Sequence, residues 1–341
     1  MSTLRRDPVV GRWVINTDKS ESSPTALDKL DSSGKNAGGC PLCSGNEDRT
    51  PPEIFAIRPR ESKSDSGDWE VRVIPKFTTA MQRDGELRRR AELMYDLMDS
   101  IGAYEMVVES PNHVTDMADL AEPQITSVLL AYRERFLRLK EDERYRTVFV
   151  YKTQTPKNGE IVRPHTHSFI VATPMTPKSI KEQYVGSMKY YQYKERCIYC
   201  DIIRQEIEEG KRIISENEKF IAVTPFASKY SYEVWILPRD HCCDFEGCQE
   251  KDLPYLSSII KSVLMRLRAL LDDPPYYYAL ISGPNRKGRE GYWETIEADY
   301  HWHMEIAPAV SHMNGFEWAT GFYINRTTPE TAAKQLRDVK V

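Results

Sequence analysis

No stretch of this 341-residue chain approaches the roughly 20 uninterrupted apolar residues that a membrane-spanning helix needs. The start, MSTLRRDPVVGRW, lacks the apolar core of a secretion signal, so the expected location is the cytoplasm, without a membrane partner. An excess of positive charge is missing too. Lys+Arg 47 against Asp+Glu 51 leaves a net charge of −4, which argues against a nucleic-acid partner, because such binding must displace many counterions from phosphate. A phosphate-bearing partner is then a small molecule held locally. At 40% hydrophobic and 29% charged residues the chain is neither disordered nor collagen-like, and its length suits one large or two ordinary domains.

The cysteines do not come in an even number. Seven Cys in a chain without a signal do not read as a disulfide framework. Four of them form two C-x2-C pairs, Cys40/Cys43 and Cys197/Cys200, while Cys242, Cys243 and Cys248 cluster apart. Metal binding is the first expectation.

Each pair is followed by a similar succession of signals. In the first half come β-rich stretches at Trp69–Ile74 and Tyr104–Glu109, then His113. A helix is predicted from about Glu122 to Lys140, with Ile125, Val128, Leu129, Tyr132, Phe136 and Leu139 at helical spacing. A strand Thr147–Lys152 and a loop with Lys157, Asn158 and Gly159 lead to His165-Thr166-His167 and the apolar run Phe169–Ala172. The second half repeats the order: strands at Phe220–Val223 and Tyr232–Leu237, His241, a helix Leu253–Leu271, a strand Tyr276–Ile281, a loop with Asn285, Lys287 and Gly288, then His301-Trp302-His303 and Met304–Ile306. The spacing between counterparts varies: 157 residues from Cys40 to Cys197, 128 from His113 to His241, 136 from His165 to His301. Loops differ while the order holds, which predicts a duplicated α+β unit with antiparallel strands and one long helix in each half, at about 1–178 and 179–341. Asp18–Gly39, rich in Ser, Asp, Lys and Gly, and Ser62–Gly67 read as loop and turn.

Cys40, Cys43, His113 and one histidine of the His165/His167 pair make a Cys2His2 set suited to tetrahedral Zn2+; Cys197, Cys200, His241 and His301 or His303 make a second. Cys242 or Cys243 is an alternative to His241. Plainer readings are redox pairs, buried free thiols, and turn histidines. Residues i and i+2 of a strand share a face, so His165 and His167 stand side by side, as do His301 and His303. With His165 on a metal, His167 is free over a cleft, and a neutral imidazole held this way is a competent nucleophile toward phosphorus. The alternative is that both are ligands or one is a core residue.

The segments Trp69–Val73, YEMVVESPNH, PHTHSFIVATP, CIYCDII, YHWHMEIAP and GFEWATGFYIN resemble the galactose-1-phosphate uridylyltransferase family of the histidine-triad superfamily, over nearly the whole chain. The resemblance implies a duplicated histidine-triad-like fold and a double displacement. In it His167 attacks the α-phosphorus of a nucleotide sugar, and a sugar phosphate then takes the nucleotide. It implies His165 as the ligand beside the nucleophile, two zinc sites per chain, and a homodimer with a pocket completed across the interface. It also points to Glu317, Thr320, Gly321, Tyr323 and Asn325 on the hexose side; Arg163, next to the nucleophile strand, is a candidate phosphate contact, and Asn158, in the loop before H-x-H, a candidate substrate contact. A second site with Cys197 and Cys200 is of the zinc type also found in a relative acting on ADP-glucose.

The chain departs from the family at Phe169, where a Gln usually donates to the phosphoryl oxygens. Glu160-Ile161-Val162 replace Gly-Ala-Ser, Asp18–Ser23 replace an arginine-rich stretch, and Ile74-Pro75-Lys76-Phe77 lack an Asn. Arg163, Lys157, Lys19 and Lys76 are the cations available instead. The expected activity is UDP-glucose:hexose-1-phosphate uridylyl transfer. The alternatives are a phosphorylase or hydrolase of ADP-sugars or dinucleoside polyphosphates, and a nucleotide-binding homologue without turnover.

Overall fold

The computed structural model describes residues 2–16, 39–76, 80–154, 165–289, 291, 293–310 and 314–341. Two long amphipathic helices organise it. Helix α1 (Glu122–Leu139) starts with a proline in its first turn, where the missing N–H is not needed, and buries Ile125, Val128, Leu129, Tyr132, Phe136 and Leu139. Helices α2 (Lys178–Lys194) and α3 (Ile198–Glu209) follow, and α4 (Leu253–Leu271) buries Leu256, Ile259, Ile260, Val263, Leu264 and Leu267. The apolar stripes of α1 and α4 face each other and one side of a sheet. Three shorter helices, α5 (Ile296–Asp299), α6 (Gly315–Thr320) and α7 (Pro329–Asp338), complete the α-helices among the described residues, beside four single 3-10 turns.

Fourteen strands are described: β1 (Thr3–Arg6), β2 (Trp13–Asn16), β3 (Phe55–Ile57), β4 (Val71–Pro75), β5 (Arg90–Glu92), β6 (Tyr95–Asp99), β7 (Ala103–Val108), β8 (Thr147–Gln154), β9 (His167–Thr173), β10 (Ile213–Glu216), β11 (Phe220–Val223), β12 (Val234–Pro238), β13 (Tyr276–Ile281) and β14 (His303–Pro308). Four form a small sheet in the order β2-β1-β6-β5. The other ten form one antiparallel sheet in the order β10-β11-β12-β14-β13-β8-β9-β7-β4-β3. At its centre β8 and β13 pair from Phe149↔Ile281 to Gln154↔Tyr276, so five strands lie on each side of that seam.

Alternation along the strands divides chemistry from core. In β9 and β14, Ile170, Ala172, Met304 and Ile306 join the same core as α1 and α4, whereas His167, Phe169, His303 and Glu305 occupy the alternate positions. This α+β fold agrees with the expected class. Strand β9 starts at His167, earlier than the apolar run suggests, because His167 is in register with Val108 of β7. No described helix is long and apolar enough to cross a membrane.

Candidate functional site

Cys40 and Cys43 sit on one tight turn, in which the Cys43 amide donates to the Cys40 carbonyl at 3.3 Å. Two histidines from distant parts of the chain reach that turn: His113, after β7, and His165, before β9. The four ligand atoms lie within 4.8 Å of one another. The Cys40 Sγ to His165 Nδ1 distance is 3.7 Å, and Cys43 Sγ is 3.6 Å from Nδ1 of both His113 and His165. Tetrahedral bonds of about 2.3 Å to sulfur and 2.0–2.1 Å to nitrogen place S and N about 3.5 Å apart. The donor set therefore fits a metal ion. The His165 Nε2–H donates to the Ser110 carbonyl at 2.8 Å, which leaves Nδ1 as the metal-facing lone pair. Burial pushes the His165 imidazole down to about 4, so the ring is neutral and able to ligate at neutral pH.

The second half builds the same arrangement. Cys197 immediately precedes α3 and Cys200 lies in its first turn, where the helix N-terminus favours thiolate. Hydrogen bonding between the two thiols lowers Cys200 and raises Cys197, as expected for two sulfurs sharing one proton. Cys200 Sγ is 3.3 Å from His241 Nδ1 and 3.7 Å from His301 Nδ1. The opposite nitrogens donate to backbone carbonyls, His241 to Glu297 at 2.8 Å and His301 to Pro238 at 3.0 Å. All four ligand atoms again lie within 4.8 Å. Cys242 turns its thiol to the Asp244 carbonyl, and Cys243 lies beside Arg286 and Asp244. Neither belongs to this cluster.

His167 stands next to the first cluster without joining it. Its Nδ1–H donates to the carbonyl of His165 at 2.7 Å, which fixes the tautomer and leaves the Nε2 lone pair. Burial, and then the nearby Lys152 ammonium, holds the imidazole below its usual protonation range. The counterpart His303 also bonds back, through Nδ1 to the His301 carbonyl at 3.2 Å. Its Nε2, however, meets Glu305 Oε1 at 3.4 Å, and its ring is covered by Tyr199 and Trp235 with centroids 5.0 and 5.5 Å away. His303 is fully buried and His167 is not. Of the two, His303 has its Nε2 engaged by a carboxylate, whereas the bond His167 makes is through Nδ1.

The strand bearing His167 rests on a buried ion pair that sequence reasoning missed. Lys152 Nζ donates to Glu109 Oε2 at 2.6 Å, to Thr166 Oγ1 at 2.8 Å and to the His167 carbonyl at 2.9 Å. Burial raises the Glu109 carboxyl, but the Lys152 charge and hydrogen bond, with that from Thr166, outweigh it and keep the group below the usual carboxylate range. A lysine that follows the apolar run Val148–Tyr151 within β8 was the available signal.

Phe169 is nearly buried. Its ring lies 5.1 Å from His167, 5.4 Å from Tyr104 and 5.2 Å from Tyr151, and the two tyrosine hydroxyls hydrogen-bond each other. Lys76 Nζ lies 4.2 Å from the Tyr104 ring centroid and 5.5 Å from that of Phe169. Asn158 and Arg163, with Lys19, Lys157, Phe77 and the stretches 18–23 and 160–162, lie outside the described residues.

The C-terminal candidates form an exposed turn. Asn314 caps α6, and Glu317 closes the capping box and also accepts from the Ile324 amide at 2.9 Å. Gly321 ends α6 at φ 74°, a left-handed conformation that suits glycine. The Thr320 hydroxyl donates to the Phe316 carbonyl. Tyr323 packs edge-on against Tyr230, and Asn325 bonds Ser228, Tyr230 and Ser231. These hydrogen bonds and this ring contact stay within the turn and segment 228–231, away from the His167 strand.

The model of the galactose-1-phosphate uridyl transferase C-terminal domain matches residues 178–340. Over 342 aligned residues, 99% of this chain and 93% of the relative, the chain is 29% identical to an ADP-glucose phosphorylase of Arabidopsis thaliana. It is 25% identical to a galactose-1-phosphate uridylyltransferase of Thermotoga maritima, with 100% and 99% coverage. A solved structure of an Arabidopsis thaliana ADP-glucose phosphorylase with bound ADP-glucose superposes with a TM-score of 0.77 at 29% identity, covering 100% of both chains.

Proposed function

We propose a function for a chain that belongs, as a divergent member, to the galactose-1-phosphate uridylyltransferase and histidine-triad superfamily: nucleotidyl transfer from a nucleotide sugar through His167. The observation that carries it is the hydrogen bond from His167 Nδ1–H to the His165 carbonyl, which presents Nε2 beside a strand anchored by the first cluster. In the first step Nε2 forms a bond to the α-phosphorus while the Pα–O bond to the sugar phosphate breaks. The sugar 1-phosphate leaves with that electron pair, and Nδ1 keeps its proton on the His165 carbonyl. In the second step an acceptor oxygen attacks the same phosphorus, the N–P bond breaks, and neutral His167 returns.

Cys40, Cys43, His113 and His165 would hold one zinc ion, and Cys197, Cys200, His241 and His301 a second. Zinc, when bound, would tie each cysteine pair to the ends of the paired strands that carry the histidines. The two ordered sets of strands, helix, cysteines and histidines support reading 1–178 and 179–341 as duplicated histidine-triad units. Glu317, Thr320, Gly321, Tyr323 and Asn325 lie on an exposed turn, which suits a homodimer in which they complete the partner's pocket on the hexose side. Asn158 and Arg163 are assigned to the phosphates by their place before the H-x-H segment.

The leading donor is an ADP-sugar and the acceptor inorganic phosphate, releasing ADP and sugar 1-phosphate. The near-full-length likeness to an ADP-glucose phosphorylase supports it, together with a Cys2His2 second cluster. Uridylyl transfer from UDP-glucose to a hexose 1-phosphate is the second reading, supported by the full-length likeness to a uridylyltransferase. Product analysis separates them. With ADP-glucose, phosphate-dependent ADP is expected; nucleotide transfer only to hexose 1-phosphate would replace the first reading by the second.

A further inference from the structure

Phe169 puts an apolar ring where a nucleotidyl group on His167 needs a donor for its phosphoryl oxygens, and phenylalanine has none. A cation stands at the same ring. Lys76 follows the last residue of β4, and its amide donates to the Tyr104 carbonyl at 3.0 Å, which pins its backbone to β7. Its ammonium is 4.2 Å from the Tyr104 centroid and 5.5 Å from the Phe169 centroid, within the range of cation–π attraction. The Phe169 ring is in turn 5.1 Å from the His167 imidazole. The same aromatic ring therefore neighbours both the nucleophile and the ammonium. Aromatic walls displace water, and a charge acts more strongly where the surroundings are less polarisable. The long flexible stem of lysine lets three N–H donors swing from over the ring toward a phosphoryl group.

We infer that Lys76 is a catalytic residue of this chain, which donates to the α-phosphoryl oxygens during nucleotidyl transfer in place of the neutral amide that Phe169 removes. The inference rests on the His167 reading. The ligand class is the anionic α-phosphoryl group of a nucleotide sugar. No new bond is made or broken by Lys76; it stays protonated while charge builds on the non-bridging oxygens.

The test is single-turnover labelling of the full-length protein with ADP-glucose and UDP-glucose carrying label in the α-phosphate, with melting temperature and metal content as folding controls. Lys76→Met should slow labelling at saturating donor by about 10²–10³-fold, the usual loss for one preorganised donor. Lys76→Arg should stay within about tenfold of the parent protein, and adding Phe169→Gln to Lys76→Met should recover at least about tenfold. Labelling of Lys76→Met within about threefold of the parent would overturn the inference while leaving His167 in place. A loss in Lys76→Met confined to subsaturating donor would also overturn it, since it marks ground-state binding alone. If the parent protein acquires no label with either donor, the His167 reading itself fails, and this inference with it.

Discussion

His167 and His303 hold matching places, two residues after a cluster histidine, and their surroundings set them apart. Nε2 of His303 is met by Glu305 and its ring is sealed by aromatics, whereas that of His167 is not. The pairing of ligand and nucleophile was legible in the sequence, because i and i+2 on a strand share a face. Strand spacing left open the choice between His165 and His167, and between His301 and His303, and the family resemblance supplied it; the clusters form with His165 and His301, the residues that precede the strands and reach the cysteines. Glu109 and Lys152 were not legible as a pair, being brought together only by the pairing of β7, β9 and β8. They carry a testable consequence. The folded Glu109 carboxyl titrates below its unfolded value, so its contribution to stability is complete above about pH 4.3 and is lost as pH falls through the folded value. Glu109→Gln should cost about 3–5 kcal/mol at pH 7, because it leaves Lys152 buried without its counter-charge. The deficit should shrink toward pH 3; denaturant unfolding at both pH values measures it, and an equal deficit at both would contradict the assignment.

The long elements were readable because their patterns are strong. The stripe from Leu256 to Leu267 matches α4 over Leu253–Leu271, and α1 ends at Leu139, one residue short of the expected Lys140. The small sheet β2-β1-β6-β5 and the turn helix Gly315–Thr320 were not, since short polar segments acquire their structure from pairing and capping, with little periodicity of their own. At this scale the two cysteine turns are independent devices. Cys40 and Cys43 connect the start of the main sheet to β9, and Cys197 and Cys200 connect α3 to β14. Replacing both cysteines of one turn with serine should therefore remove about one equivalent of bound metal and leave the other. Elemental analysis of the purified variants checks this: loss of both equivalents from either double variant would show that the clusters are coupled.

Across the molecule, one antiparallel sheet carries both clusters, and helices α1 and α4 share a continuous core that spans the β8/β13 seam. The succession of cysteine pair, histidine, helix and H-x-H made that plan readable in outline. The sheet order, with β8 against β13 at the centre, required the three-dimensional pairing. The plan has a functional consequence: two equivalent-looking sites, of which one keeps a usable nitrogen. The direct measurement is peptide mapping by mass spectrometry after brief incubation with ADP-glucose or UDP-glucose and quenching at alkaline pH, which preserves a phosphoramidate. The account predicts one nucleotidyl group per chain, on His167, absent from His167→Asn and unaffected by His303→Asn. A nucleotidyl group on His303, or turnover that persists undiminished in His167→Asn, would contradict it.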